Sequence, residues 1–456
     1  MLRLLEAWVL VPLALAAVGG GWGALVERAG GTRVKDPLLI PLGLAAALVL
    51  AGTITAFSSL AEAAVPVVAV GALAGLVLAW PGRRLLGWPA LAALGVLLVY
   101  GAPVIFSGQA TFTGFIRLDD TATWFNIVDH VFSGGRPGAG SVGASTYSLV
   151  YTGDVGPTYP LGAFMLPGIA RALVRLDVAW VFEPYLACCA AAIALCLNAL
   201  LETAVPGARI RALVTFGGAQ AALLYGYSLW GGVKELTAAF LLALGVALAS
   251  SLIPRRPARA RELLPLAVAA GALIQTLGVG AAAWVAPSLL LLGGSWLYSE
   301  RRACGRFAPS LVSLSWLAGA AAVFVLPVWI VIGNTLSSSG GGTTFETLFS
   351  SGQSAAVRLG NLLHPLSVFQ LAGIWPIGDF RLTAPTVSSA LWIGVVVVAA
   401  CATLVVTLRR RDGALATYVA VALSGCAVIY LSGGTPWVVG KALAISSPAL
   451  LTAALA

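Results

Sequence analysis

Apolar stretches of about twenty residues recur along nearly the whole 456-residue chain. A helix of that length covers about 30 Å, the thickness of a bilayer's hydrocarbon core. Candidate spans fall near 7–25, 37–56, 64–80, 88–107, 179–201, 212–230, 236–253, 263–279, 281–298, 310–333, 389–408, 415–431 and 441–456, about thirteen in all. The pair between 263 and 298 is separated only by LGVG. With 59% hydrophobic and 9% charged residues, against about 25% charged in soluble domains, the chain has too little polar surface to cover such a core in water. The expected fold class is all-α, a polytopic transmembrane helix bundle.

The basic residues give this bundle a direction. Alternate loops at 27–36, 81–84, 206–211, 254–262, 299–306 and 408–413 hold 17 of the 26 Lys and Arg. With Glu202 counted on that side, six acids leave them at +11, while nine bases and eleven acids leave the opposite side at −2. The positive-inside rule puts the basic set in the cytoplasm and the N-terminus outside. The formal net charge of +9 is thus an orientation signal, and nucleic acid is not an expected partner. A retained first span is expected, although Arg3 and the following apolar run mimic a signal peptide; cleavage there would reverse the parity. The expected setting is the plasma (inner) membrane, with long outer loops at about 108–178 and 334–388. The sequence stops at LTAALA inside an apolar run, which reads as a truncated C-terminus.

The six cysteines, Cys188, Cys189, Cys196, Cys304, Cys401 and Cys426, have neither a disulfide-framework nor a zinc spacing. Charge is instead concentrated in the first long loop, TGFIRLDDTATWFNIVDHVFSGG, with Arg117, Asp119, Asp120, Asp129 and His130. Adjacent carboxylates beside a membrane are costly without water, a partner or a task. Apolar Trp124, Ile127, Val128, Val131 and Phe132 share one helical face, Asp120–Thr121 opens the helix and Gly134–Gly135 stops it. This predicts an amphipathic helix over 121–133, presenting Asp119 and Asp120 at its start. A second interfacial helix is predicted at about 161–175, its Arg171 and Arg175 snorkelling to the interface.

Two double-glycine turns precede lysines at starts of later spans: Lys234, followed by Glu235, and Lys441. A helix N-terminus favours an anion, and a lysine adds a full charge; the plainer reading of Lys234–Glu235 is a pair anchoring a helix end. In the second long loop, Asp379 and Arg381 lie in GIWPIGDFR, either clamping a sugar or closing the loop. His364 precedes a proline and reads as structural. No metal-ligand cluster emerges; if a divalent cation, magnesium or manganese, takes part, Asp119 or Asp120 would hold it.

An acidic pair in an outer loop, followed by amphipathic helices, resembles the glycosyltransferase C superfamily, integral membrane enzymes that take sugars from polyprenyl-phosphate carriers. The resemblance covers roughly 88–456 and leaves 1–87 as an added N-terminal module of transmembrane helices. It implies a multi-pass enzyme that transfers a sugar to a cell-envelope glycan, lipid or protein acceptor on the extracytoplasmic face. Asp119 or Asp120 would be the general base, with inversion at the anomeric carbon. Lys234, Lys441 and Arg381 would meet the leaving phosphate, with Arg117, Glu235 and Asp379 completing the substrate site. The competing readings are a transporter or flippase of lipid-linked sugars, a polysaccharide polymerase or ligase, and a non-catalytic assembly subunit.

Overall fold

The computed structural model describes residues 2–79, 87–110, 119–136, 145, 149, 151, 159–253, 259–304, 308–330, 358–384, 386–410 and 412–456. All regular structure among them is helical: α1 (Leu2–Gly30), α2 (Leu39–Ile54), α3 (Ala64–Val77), α4 (Trp88–Ser107), α5 (Asp119–Gly134), α6 (Met165–Val174), α7 (Val178–Leu200), α8 (Ala208–Gly218), α9 (Ala222–Leu229), α10 (Val233–Leu252), α11 (Leu264–Leu277), α12 (Ala282–Ser288), α13 (Gly294–Cys304), α14 (Ala308–Phe324), α15 (Thr386–Arg409), α16 (Ala414–Leu431) and α17 (Pro436–Leu455). Helices dominate because lipid offers no partner for backbone N–H and C=O groups, so each segment must satisfy its own.

Ten helical segments among the described residues are long and apolar enough to cross a membrane. Two local features, and one run described only in part, separate that number from the thirteen runs in the sequence. The 263–279 and 281–298 runs merge into one 39-residue helical segment, Ala260–Tyr298, at about 1.5 Å per residue roughly twice the length of one crossing. It re-forms around Gly278 (φ 59°) and the 3-10 turn Gly278–Ala281. Of the 310–333 run, the described residues form α14, apolar over Leu311–Phe324, and a further helical turn at 326–330, while 331–333 lie outside the described residues.

The 212–230 run is broken into α8 and α9. The Tyr100 hydroxyl donates to the Ala219 carbonyl at 2.9 Å, and the Ala222 N–H donates to the Gly373 carbonyl at 2.8 Å. A helix breaks inside a bundle only where other protein groups take over its freed backbone groups. Gly373 belongs to the 358–384 segment, whose 3-10 turn Val368–Ala372 packs on α17. Gly373 itself abuts Leu451, about 22 Å along α17 at the usual helical rise. Part of the second long loop therefore descends into the bundle. Buried Gln370, donating to the Phe380 carbonyl at 2.7 Å, helps to hold it there.

Small residues set the closest packing. A methyl group on Gly43 would collide with the Gly19 carbonyl, and one on Gly75 with that of Gly21, so α2 and α3 lie against α1 backbone to backbone. Helices α1–α3 share one hydrophobic core with the later helices.

The loops sort by end. Lys35 pairs with Glu202 at 2.8 Å and donates to the Ala199 carbonyl. Thr203 donates to Asp412 at 2.7 Å, Arg28 donates to the Leu78 carbonyl, Gly31 abuts the Arg261 guanidinium and Arg209 lies over Trp88. Basic loops far apart in sequence thus meet at one end. At the other, Arg136 N–H donates to Thr55, Gly135 abuts Ser58, Gly278 faces Pro160 and Gly231 faces Thr121. The acidic helix α5 belongs to this second end.

Candidate functional site

Helix α5 runs over the span its periodicity predicts. Ile127, Val128 and Val131 are fully buried, and the helix stops at Gly134, with Gly135 in a left-handed conformation (φ 68°). Its apolar face seats on α6: Phe132 lies against Gly168, and Asp129 pairs with Arg171 at 2.9 Å. His130 stacks on Tyr151 at 5.3 Å. Asp119 and Asp120 form the first turn of α5, described to the level of backbone; Arg117 lies outside the described residues.

Helix α6 departs from the interfacial element expected at 161–175. Met165 to Ala170 are buried against α1, α2 and α7, and Thr55 donates to the Met165 sulfur at 3.4 Å. Arg171 is held by Asp129 rather than simply snorkelling. Arg175, at φ 57°, ends the helix.

The start of α5 meets the start of α10. Gly231, at φ 81°, faces Thr121 so closely that a methyl group there would stand 3.0 Å from the Thr121 hydroxyl. Asp119 and Asp120 therefore begin a helix whose first turn abuts the double-glycine turn leading to Lys234. Lys234 Nζ lies 3.3 Å from the centroid of the Tyr159 ring and 6.0 Å from that of Trp124, with Trp124 stacked on Tyr159 at 5.9 Å. Arg136 donates to the Tyr159 carbonyl at 2.8 Å. Burial draws the Arg136 guanidinium down to about 10, which leaves it charged at neutral pH.

Glu235 does not serve as a local counter-charge within its own turn alone. It is buried and reaches Lys441 Nζ at 3.3 Å, while Lys441 also lies 4.7 Å from the Trp437 ring centroid. The two double-glycine lysine segments thus converge. The expectation that Lys441 opens the last helix is corrected: α17 starts at Pro436, so Lys441 lies in the second turn, away from the free N–H groups. Proline's fixed φ and missing N–H suit that first position.

Asp379 and Arg381 close on each other. Arg381 donates to Asp379 from its backbone N at 2.9 Å, from Nε at 3.1 Å and from NH2 at 2.8 Å, and these bonds hold the Asp379 carboxyl below the usual carboxylate range. Between them, Phe380 inserts against Tyr227 and Trp230. Of the two readings of this pair, loop closure accounts for the contacts. His364 meets Thr383 at 3.2 Å, in keeping with a structural role. Among the described residues no three His, Cys, Asp or Glu side chains gather to hold a metal ion.

The aromatic residues around these charges are not set apart by charge or by helical spacing in the sequence. Tyr159 and Trp124 seat Lys234, and Tyr227, Trp230, Phe380 and Trp437 wall the Glu235–Lys441 pair. Their signal lies in YGYSLWGG, which runs directly into Lys234 and Glu235. Compared with sequence profiles of known families, with curated proteins and with solved structures, the chain matches none.

Proposed function

We propose that this is a multi-pass membrane glycosyltransferase of the glycosyltransferase C type, with its basic loops in the cytoplasm and the α5 end facing outward. In this reading a carboxylate of Asp119 or Asp120 takes the proton of an acceptor hydroxyl. The acceptor oxygen attacks the anomeric carbon, the bond from that carbon to the carrier's phosphate oxygen breaks, and the phosphate leaves with the electron pair. The other aspartate orients the acceptor or a divalent cation. The charge growing on the phosphate needs a fixed cation, and Lys234 is the residue assigned to it. Lys441, paired with Glu235, and Arg381, paired with Asp379, are the further candidates, in that order.

The observation that carries the reading is the contact between the first turn of α5 and the Gly231–Gly232 turn that opens α10. It brings the acidic pair's helix start to the lysine's helix start, the two halves that base catalysis and phosphate departure require. The test is reconstitution of the full chain in nanodiscs with polyprenyl-phosphate-linked sugars. Release of polyprenyl monophosphate with formation of a new glycosidic bond supports the reading.

The break between α8 and α9 favours a second reading, a transporter of lipid-linked sugars, since secondary transporters build their binding sites on discontinuous helices. Such a transporter would move the donor across a liposome membrane intact. Reconstitution in sealed liposomes separates the two: translocation without bond cleavage supports the transporter.

A further inference from the structure

Beyond the acidic pair and Lys234, the α5 end holds a second polar centre, built on the Glu235–Lys441 pair. The Tyr227 hydroxyl is fully buried and has no hydrogen-bond partner among the described residues. It lies within electrostatic reach of Glu235 and 3.0 Å from the point where a methyl group on Gly440 would stand. Leu366 and Leu362 crowd the same point at 3.2 and 3.4 Å, so the hydroxyl is packed against α17 one residue before Lys441. The indole N–H of Trp230, also buried, has no partner among those residues either. Its ring contacts Tyr227 at 5.2 Å and Trp437 at 4.7 Å. Trp437 and Lys441 are half-exposed, and they mark the way in.

Two buried donors without partners in one cluster destabilise the chain, and a bound ligand would offset that. The chemistry of the surroundings selects that ligand. The lysine's charge is balanced by a buried carboxylate, so the site as a whole favours a neutral group over a phosphate. Two donors, one cation and one carboxylate acceptor suit several hydroxyls at once. The aromatic wall suits an apolar face.

The geometry points to a sugar-ring subsite formed by Tyr227, Trp230, Glu235, Trp437 and Lys441. The Tyr227 hydroxyl and the Trp230 N–H donate to ring hydroxyls, Glu235 accepts from them and Trp437 packs on the ring's C–H face. The inference rests on the glycosyltransferase reading for its place in a reaction, but its binding chemistry stands on these contacts alone. The ring arrives either on the carrier lipid or as part of the acceptor, and in both cases it offers the same hydroxyls.

The test uses the full chain in nanodiscs free of glycosidic detergent, with methyl glycosides of neutral pyranoses and furanoses as probes and intrinsic tryptophan fluorescence as readout. At least one methyl glycoside should bind, and Tyr227→Phe should weaken it about three- to tenfold, as expected for one lost hydrogen bond. Gly440→Ala, whose methyl group crowds the Tyr227 hydroxyl without removing a donor, should weaken it as well. Lys234→Ala should leave methyl glycoside binding unchanged while weakening that of polyprenyl monophosphate. Tighter binding of a methyl disaccharide than of its monosaccharide marks an acceptor ring, and equal binding marks the donor's ring; either upholds the subsite.

Absence of binding across the panel overturns the inference. So does wild-type affinity in both Tyr227→Phe and Gly440→Ala chains that elute as folded protein. If sugar transfer survives replacement of both aspartates while Tyr227→Phe loses saccharide binding, the glycosyltransferase reading falls and the subsite stands. If transfer depends on the aspartates while the Tyr227 and Gly440 variants bind saccharide unaltered, the subsite falls and the glycosyltransferase reading stands.

Discussion

Arg136 shows how a residue remote from the proposed chemistry governs it. Its guanidinium holds the Tyr159 carbonyl, and the Tyr159 ring carries the Lys234 ammonium. Arg136→Met should release Tyr159 and weaken polyprenyl monophosphate binding about fivefold or more, on the scale of one charge-assisted hydrogen bond, as read by titration in nanodiscs. Asp379 gives a pH prediction. Its folded pKa is depressed by Arg381, so its stabilising effect is fully present above the unfolded value of about 3.9. That effect is lost as pH falls through the lower folded value. Asp379→Asn should remove this acid-sensitive component from protease protection of the 358–384 segment. At this scale the sequence is partly legible. Asp119, Asp120 and Lys234 stand out as charges in an apolar chain. The Glu235–Lys441 pairing is not visible there, because no local pattern encodes a contact between helices so far apart in sequence.

Among the elements, α5 is the most readable, since its apolar spacing and its glycine stop are both local signals. Helix α6 reads as interfacial in sequence because its two arginines suggest a surface, whereas its first six residues are buried in the bundle. The α8–α9 break is also hidden, since 212–230 is apolar nearly throughout and the groups that stabilise the break come from Tyr100 and Gly373. Tyr100→Phe should leave the Ala219 carbonyl without its partner and cost about 1–3 kcal/mol, measured as a lower thermal midpoint in detergent. Gly43→Leu should be more severe. It drives a large side chain into the Gly19 backbone, and overpacking of that kind costs about 1–3 kcal/mol or more. Loss of monodisperse protein on gel filtration is the expected result.

For the whole molecule, hydropathy and loop charge carry most of the architecture. They predict an all-helical bundle with alternating loops, and the basic loops do meet at one end through Lys35, Glu202, Thr203 and Asp412. The number of crossings is less legible, because composition reports apolar length and not where a helix bends or breaks. Orientation in the membrane has its own test. An impermeant thiol reagent applied outside intact cells should label Ser133→Cys, exposed on α5, and miss Arg209→Cys, exposed at the basic end. The opposite pattern would turn the proposed site toward the cytoplasm.

The central claim is that an aspartate at the start of α5 removes the acceptor's proton. The decisive measurement is the rate of sugar transfer from a polyprenyl-phosphate donor by folded, nanodisc-embedded Asp119→Asn and Asp120→Asn chains. General-base catalysis contributes about 10²–10⁴-fold. At least one variant should therefore lose transfer by that factor while still binding polyprenyl monophosphate through Lys234. Full transfer by both variants would contradict that claim.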